Sequence, residues 1–227
     1  MNRAAFYAEL RKRDSGVFGT RLSESQVKGI EAILDEADRQ KTPVTWLAYM
    51  LATAYHETAR TMQPIAEFGR GKGRKYGKPA GPYGKVYYGR GLVQLTWLDN
   101  YNRASREIGV DFVRQPERAL EPALAVRIMF AGMEEGWFTG KKLADYLPGD
   151  YVNARRIING TDRAKLIAGY AGSFQRALKA AGYGVAAEPV APQPAPEPQT
   201  PQEPSVPPRQ NFLAALLDFI LNLFRKD

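Results

Sequence analysis

The stretch TPVTWLAYMLATAYHET, residues 42–58, decides the reading of this chain. Thr42-Pro43 has the form of an N-cap followed by proline at the first helical position, where the missing N–H needs no partner. Trp46, Leu47, Met50, Leu51, Ala54 and Tyr55 follow at helical spacing. An apolar helix is expected, and it runs into His56-Glu57. A carboxyl group held against apolar and aromatic groups has its charged form disfavoured. A carboxyl that keeps its proton near neutral pH is suited to general acid work.

Helices are expected on both sides of this stretch. Ser23 with Gln26 makes a capping-box pattern, and Val27, Ile30, Ile33 and Leu34 then share one face. Pro122 opens another helix with Leu124, Ile128 and Met129 among its apolar residues. A last helix is expected from Arg163 to about Ala180, with Gly182 placed to stop it. Between Gly69 and Gly91 the pattern changes to eight glycines, two prolines and seven Lys or Arg residues. That composition predicts a long loop, with short strands near Val86–Tyr88. Unstructured loops of this length usually carry function. Residues 187–210 hold nine prolines in 24 positions, the composition of an extended linker. Residues 211–227 then read as an amphipathic helical tail, with Phe212, Leu213, Leu216, Leu217, Ile220, Leu223 and Phe224 on one broad face. Three segments are therefore expected: a domain over 1–186, a linker over 187–210 and a tail over 211–227.

The residue inventory removes several chemistries. There is no cysteine, so neither a disulfide framework nor a thiolate zinc site is available. The one histidine, His56, has no nucleophile elbow near it and no second histidine at zinc-protease spacing. No phosphate-binding Gly-Lys-Ser/Thr loop is present, and no cofactor or metal is expected. The net charge is +8, with +10 on residues 1–186, which favours a polyanionic partner: nucleic acid, anionic membrane or bacterial wall polymer. No nucleic-acid reading motif is found, so nucleic acid is not expected as a partner. The first residues lack a signal-peptide core, so synthesis in the cytoplasm is expected. The tail is shorter than the roughly 20 apolar residues of a membrane span.

Carboxylates remain. Glu57 ends an apolar helix, and Glu67 follows ten residues later at the entrance to the glycine-rich loop. A more solvated loop position would keep Glu67 ionised. Two carboxyl groups in contrasting environments are the basic apparatus of glycoside hydrolysis. On pattern alone this is weak, because most helical glutamates are solvated surface groups.

Three motifs in order sharpen it. Ala54-Tyr55-His56-Glu57-Thr58 resembles the catalytic helix end of glycoside hydrolase family 19, the plant-type chitinases and related phage endolysins. Tyr87-Tyr88-Gly89-Arg90-Gly91-Leu92-Val93-Gln94-Leu95-Thr96-Trp97, continued by Asn100-Tyr101, resembles that family's most distinctive segment. Arg156-Ile157-Ile158-Asn159-Gly160 resembles a third motif. The resemblance implies Glu57 as general acid, Glu67 as the base that activates water, and Thr96 as the hydroxyl that positions that water. It implies Tyr88, Gln94, Asn100 and Asn159 as cleft residues. Arg163 is added although the residues after Gly160 depart from the family's double glycine, and His56 is read as a hydrogen-bonded orienter. Tyr87, Leu92, Val93 and Leu95 also read as core.

The expected fold is mainly α: a lysozyme-like, two-lobed helical domain with a glycine-rich loop or short β segment, plus the C-terminal amphipathic helix. The expected activity is that of an endolysin, hydrolysing β-1,4 bonds of bacterial peptidoglycan by the inverting route. Chitin as substrate, or a wall-glycan-binding module without activity, are the alternatives. The expected partners are peptidoglycan and, through the tail, an anionic or outer membrane; a monomer is expected.

Overall fold

The computed structural model describes residues 1–184. The linker and tail expected over 187–210 and 211–227 lie outside them. Six α-helices occur among the described residues: α1 (Arg3–Leu10), α2 (Glu24–Gln40), α3 (Val44–Glu57), α4 (Leu98–Ile108), α5 (Pro122–Glu135) and α6 (Ala164–Ala180). One two-stranded antiparallel sheet joins β1 (Ile65–Ala66) to β2 (Arg90–Gly91), with Ile65 opposite Gly91 and Ala66 opposite Arg90. The mainly helical class read from the sequence is the observed one.

Helix α3 sits at the centre. Every residue from Leu47 to Tyr55 is buried, so the helix is enclosed on all sides. Its broadest packing is against α6, through residues that include Ile167, Ala171 and Phe174. Phe174 and Tyr55 meet edge-on, with ring centroids 6.1 Å apart. Each large apolar side chain buried here stabilises the fold by about 1.5–3 kcal/mol relative to exposure.

The ends of the helices follow local rules. Ser23 closes the capping box on α2: Gln26 N–H donates to Ser23 Oγ at 3.2 Å, and Ser23 N–H donates to Gln26 Oε1 at 2.7 Å. Pro122 opens α5 at its first position, and Gly182 has a left-handed φ of +71° just past the end of α6. The Thr42-Pro43 reading needs correction. Pro43 itself is the N-cap of α3, and no side chain caps that end. The helix begins one residue later than expected, and Thr42 Oγ1 is buried without a partner among the described residues.

The strands also differ from expectation. Residues 86–88 form no strand: side chains take the carbonyls of Val86 and Tyr88, and the Tyr87 carbonyl accepts from Trp97 N–H at 2.9 Å. Arg90, buried, donates from Nη1 to Val86 O (3.1 Å) and Tyr88 O (3.2 Å), while Tyr101 Oη donates to Tyr88 O at 2.9 Å. The ladder forms instead at Arg90–Gly91, two residues beyond Tyr88.

Candidate active site

Glu57 is the last residue of α3. Beyond it the chain turns sharply: Thr58 Oγ1 donates to Ala54 O at 2.7 Å and accepts from Met62 N–H at 3.0 Å. Ala59, Arg60 and Met62 all take left-handed φ angles, a conformation costing about 1–2 kcal/mol for each L-residue. Gly29 of α2 packs against this turn so closely that a Cβ there would lie 1.8 Å from Met62 O. The turn is thus braced from below, and Glu57 is left at the rim of a cavity of about 420 Å³.

The carboxylate is not held by apolar groups alone. Arg155 Nη1 donates to Glu57 Oε1 at 2.6 Å. The guanidinium is buried, with 2% of its side chain exposed against 15% for Glu57. Arg155 Nε donates to Asp162 O at 2.9 Å, which fixes the plane of the fork. The cation meets both the carboxylate and the negative end of the α3 dipole. Sequence reading missed Arg155, which stands just before the third motif. Glu57 Oε2 accepts no hydrogen bond from any described residue, and Glu57 lines the cavity.

Glu67 is held differently. Its main chain closes on Gly89, N–H to carbonyl at 2.7 Å. Its two oxygens each accept one hydrogen bond, Oε1 from Tyr76 Oη at 2.8 Å and Oε2 from Gly89 N–H at 3.1 Å. Burial, and then the bond to Glu67, raise the pKa of Tyr76, so its phenol keeps the proton it donates. Tyr76 lines the cavity that Glu57 also lines, and this is how Glu67 is tied to that wall. The turn that presents Tyr76 depends on two glycines: a Cβ on Gly77 would lie 1.8 Å from Gly71 O. The more solvated loop position expected for Glu67 is therefore corrected to a half-buried carboxylate with two fixed donors.

The second motif supplies more of the cavity lining. Gln94 has a left-handed φ of +54°, and its Nε2 donates to Ile65 O at 3.1 Å, bridging to β1. Thr96 Oγ1 donates to Gln94 O at 2.7 Å, and Asn100 Nδ2 donates to Thr96 O at 2.9 Å. The threonine proton is thereby committed, and its hydroxyl oxygen is left to accept. Trp97, with φ +75° and 49% exposed, stands edge-on to Tyr76 at 5.3 Å. Strained backbone of this kind costs about 1–3 kcal/mol and gathers at functional sites. Asn159 reaches the cavity from the third motif.

Five of the expected residues thus share one cavity: Glu57, Gln94, Thr96, Asn100 and Asn159. Tyr87 is core, its hydroxyl donating to Val113 O at 2.9 Å. Tyr88 does not line the cavity; its ring lies under Arg90, 3.6 Å from the guanidinium carbon. His56 and Arg163 line a separate cavity with Tyr55 and Tyr170. Burial lowers the pKa of His56, with Arg155 and Arg163 adding to that effect and Glu57 and Asp162 opposing it.

Residues 46–140 match the family model of glycoside hydrolase family 19, described as chitinase class I. Over this part, less than half of its length, the chain is similar to glycoside hydrolase family 19. It carries Glu57, Glu67, Thr96 and Asn100, while Arg155 and Asn159 lie beyond it. An endochitinase of Arabidopsis thaliana is 32% identical over 119 residues, 50% of this chain and 39% of that relative. Endochitinase 1 of Theobroma cacao is 43% identical over 53 residues, 23% of this chain and 16% of the relative. The chain spans less than half the length of these curated relatives. Among solved structures, chitinase C from Streptomyces griseus superposes with a TM-score of 0.52 at 21% identity, covering 79% of this chain and 75% of that one. That likeness concerns the fold.

Proposed function

We propose that this chain is an endolysin-type glycoside hydrolase that cuts β-1,4 bonds between the amino sugars of bacterial peptidoglycan. Glu57 protonates the glycosidic oxygen from Oε2, and the carboxylate that remains is met by Arg155. Glu67 takes a proton from water on the opposite face of the sugar ring, the inverting arrangement. Thr96, whose own proton is committed to Gln94 O, accepts the water's second hydrogen. Asn100 holds the Thr96 carbonyl, while Gln94 and Asn159 line the sugar path.

One observation carries the choice of substrate. From Phe68 to Leu98 there is no Asp or Glu, and there are seven cations: Arg70, Lys72, Arg74, Lys75, Lys78, Lys85 and Arg90. Only Arg90 is buried, and none of the seven forms an ion pair among the described residues. Arg74 lies on the cleft wall itself. A basic rim attracts an anionic polymer. Peptidoglycan carries carboxylates on its lactyl-linked peptides, whereas chitin is neutral. The names of the relatives favour chitin, so the two substrates should be compared directly. Reducing ends and released fragments should be measured by mass on purified peptidoglycan and on colloidal chitin in parallel. Faster release from peptidoglycan, lost in Arg74→Glu, is expected; a preference for chitin unaffected by that change would reverse the assignment.

The apolar pattern of residues 211–224 supports a second part of the proposal, engagement of an anionic membrane during lysis from within the producing cell. Deleting 187–227 should leave hydrolysis of purified peptidoglycan nearly unchanged and reduce binding to anionic vesicles. Equal vesicle binding by the truncated chain would remove the membrane role.

A further inference from the structure

On the other side of the α3 end lie two adjoining cavities that share no residue with the cleft. The first, about 340 Å³, is lined by Arg13, Phe18, Tyr55, Arg60 and Tyr170 among others. The second, about 310 Å³, reuses Tyr55, Arg60 and Tyr170 and adds His56, Arg163 and Leu166. The two meet at these three shared residues, and together they are called the groove below.

Its chemistry is of one kind. Three guanidinium groups line it, no carboxylate does, and none of the three makes an ion pair or a side-chain hydrogen bond among the described residues. The floor is aromatic. Phe18 meets Tyr55 edge-on at 4.7 Å, and Tyr55 meets Tyr170 edge-on at 4.9 Å. Leu166 is exposed, a large apolar side chain left to solvent beside these rings.

The backbone is also held in costly conformations here. Phe18, Ala59, Arg60 and Arg163 have φ of +54°, +50°, +70° and +56°, four of the nine left-handed non-glycine residues among those described. Two of them are fastened by side chains: Phe18 N–H donates to Tyr55 Oη at 3.1 Å, and Gln26 Nε2 donates to Arg60 O at 2.9 Å. Two more of the nine, Gln94 and Trp97, line the cleft. The groove and the cleft therefore share the same signature of backbone strain.

We propose that this groove is a second binding site, for a sugar ring that carries a carboxylate or a phosphate. The guanidinium groups pair with the anion, bidentate where geometry allows. The aromatic floor takes the apolar face of the ring. The volume suits one or two sugar units. Two sources supply this chemistry: the acidic muramyl unit of the wall glycan, and phosphate-bearing wall polymers. Binding here requires no hydrolysis, so the inference stands apart from the reading of the cleft.

The test uses the full chain carrying Glu57→Gln, which prevents turnover of the probes. Calorimetric titration is made with N-acetylmuramyl dipeptide and, separately, with N-acetylglucosamine 1-phosphate, a ring that carries the phosphate of the wall polymers. Saturable binding of at least one is expected, and which one identifies the source. Combined Arg13→Glu and Arg60→Glu should weaken it at least about tenfold, the equivalent of one lost charge-assisted hydrogen bond. Arg13→Gln with Arg60→Gln gives the same reading should charge reversal impair folding, judged by near-ultraviolet circular dichroism. Neutral chitotriose, a probe of the cleft, should not compete. Absence of saturable binding by either probe overturns the proposal. So does binding that persists in the arginine variants, or that is lost in Arg74→Glu and displaced by chitotriose, since the anion would then be read by the cleft.

Discussion

Glu57, which lines the cleft, and Glu67, which does not line it but is bonded to the lining residue Tyr76, are supported in opposite ways. Glu57 ends a helix buried on all sides and is bound to a buried arginine that lies 98 residues away in sequence. Glu67 sits beside a basic, glycine-rich loop, and its oxygens are held by Tyr76 and a backbone N–H from within 22 residues. Glu57 is built into the core, and Glu67 is held by local chain. Damage near Glu57 should therefore reach folding and activity together, whereas damage near Glu67 should reach activity alone.

The largest effect tests the shared part of this contrast. Glu57→Gln and Glu67→Gln should each reduce hydrolysis by about 100- to 10,000-fold, the usual worth of a positioned acid or base. Release of reducing ends by properly folded protein is the measurement, and near-normal rates in either variant would remove that residue from the mechanism. Next comes the folding difference. Arg155→Ala strands a largely buried carboxylate and should cost about 3–5 kcal/mol in urea unfolding. Tyr76→Phe should cost under about 1 kcal/mol there, as a neutral change at a half-buried surface. Similar losses from both would erase the distinction drawn here.

A smaller effect sharpens the loop side. Tyr76→Phe removes one of the two donors to Glu67 and should lower activity by about tenfold, the scale of one hydrogen bond to a charged group. The loss should appear mainly in kcat, and an unchanged kcat would place Tyr76 as a wall residue only. The smallest effect is in pH. The folded-state pKa of His56 is depressed below its usual 6.5 by burial. Protonation therefore favours the unfolded chain, and stability should decline as pH falls through about 6.5 and level off once the folded form also titrates. His56→Gln should flatten that part of the profile of unfolding free energy against pH. A profile unchanged by the substitution would show that His56 titrates alike in both states.

The same contrast explains what could be read from sequence. Helix ends set by neighbours within a few residues were legible: the Ser23 capping box, the Pro122 start and the Gly182 stop each depend on local chain. The central helix was legible because burial on every side leaves an almost unbroken apolar run. Arg155 was not, since nothing near residue 155 signals a partner at residue 57. Nor was the location of the strands, because it turns on Arg90 capturing the carbonyls of Val86 and Tyr88, a tertiary effect that overrides local β preference. Among the expected site residues of the second motif, Gln94, Thr96 and Asn100 reach one cavity, whereas Tyr88 is held under Arg90. His56 parts from Glu57 because adjacent residues on a helix point about 100° apart, and Arg163 stands at the start of α6 beside the separate cavity.

The brace between Gly29 and the Met62 carbonyl has a consequence for length variation. Residues 58–66 have almost no slack: Thr58 ties both ends of the turn, α2 presses on it, and β1 follows at once. An inserted residue there would shift Glu67 relative to Glu57. At Gly73 and Gly84 an added Cβ would meet nothing within 4 Å. Extra chain can enter at those two points without disturbing either carboxylate, so the loop tip is the place where this scaffold can be lengthened to meet a wider or more branched glycan.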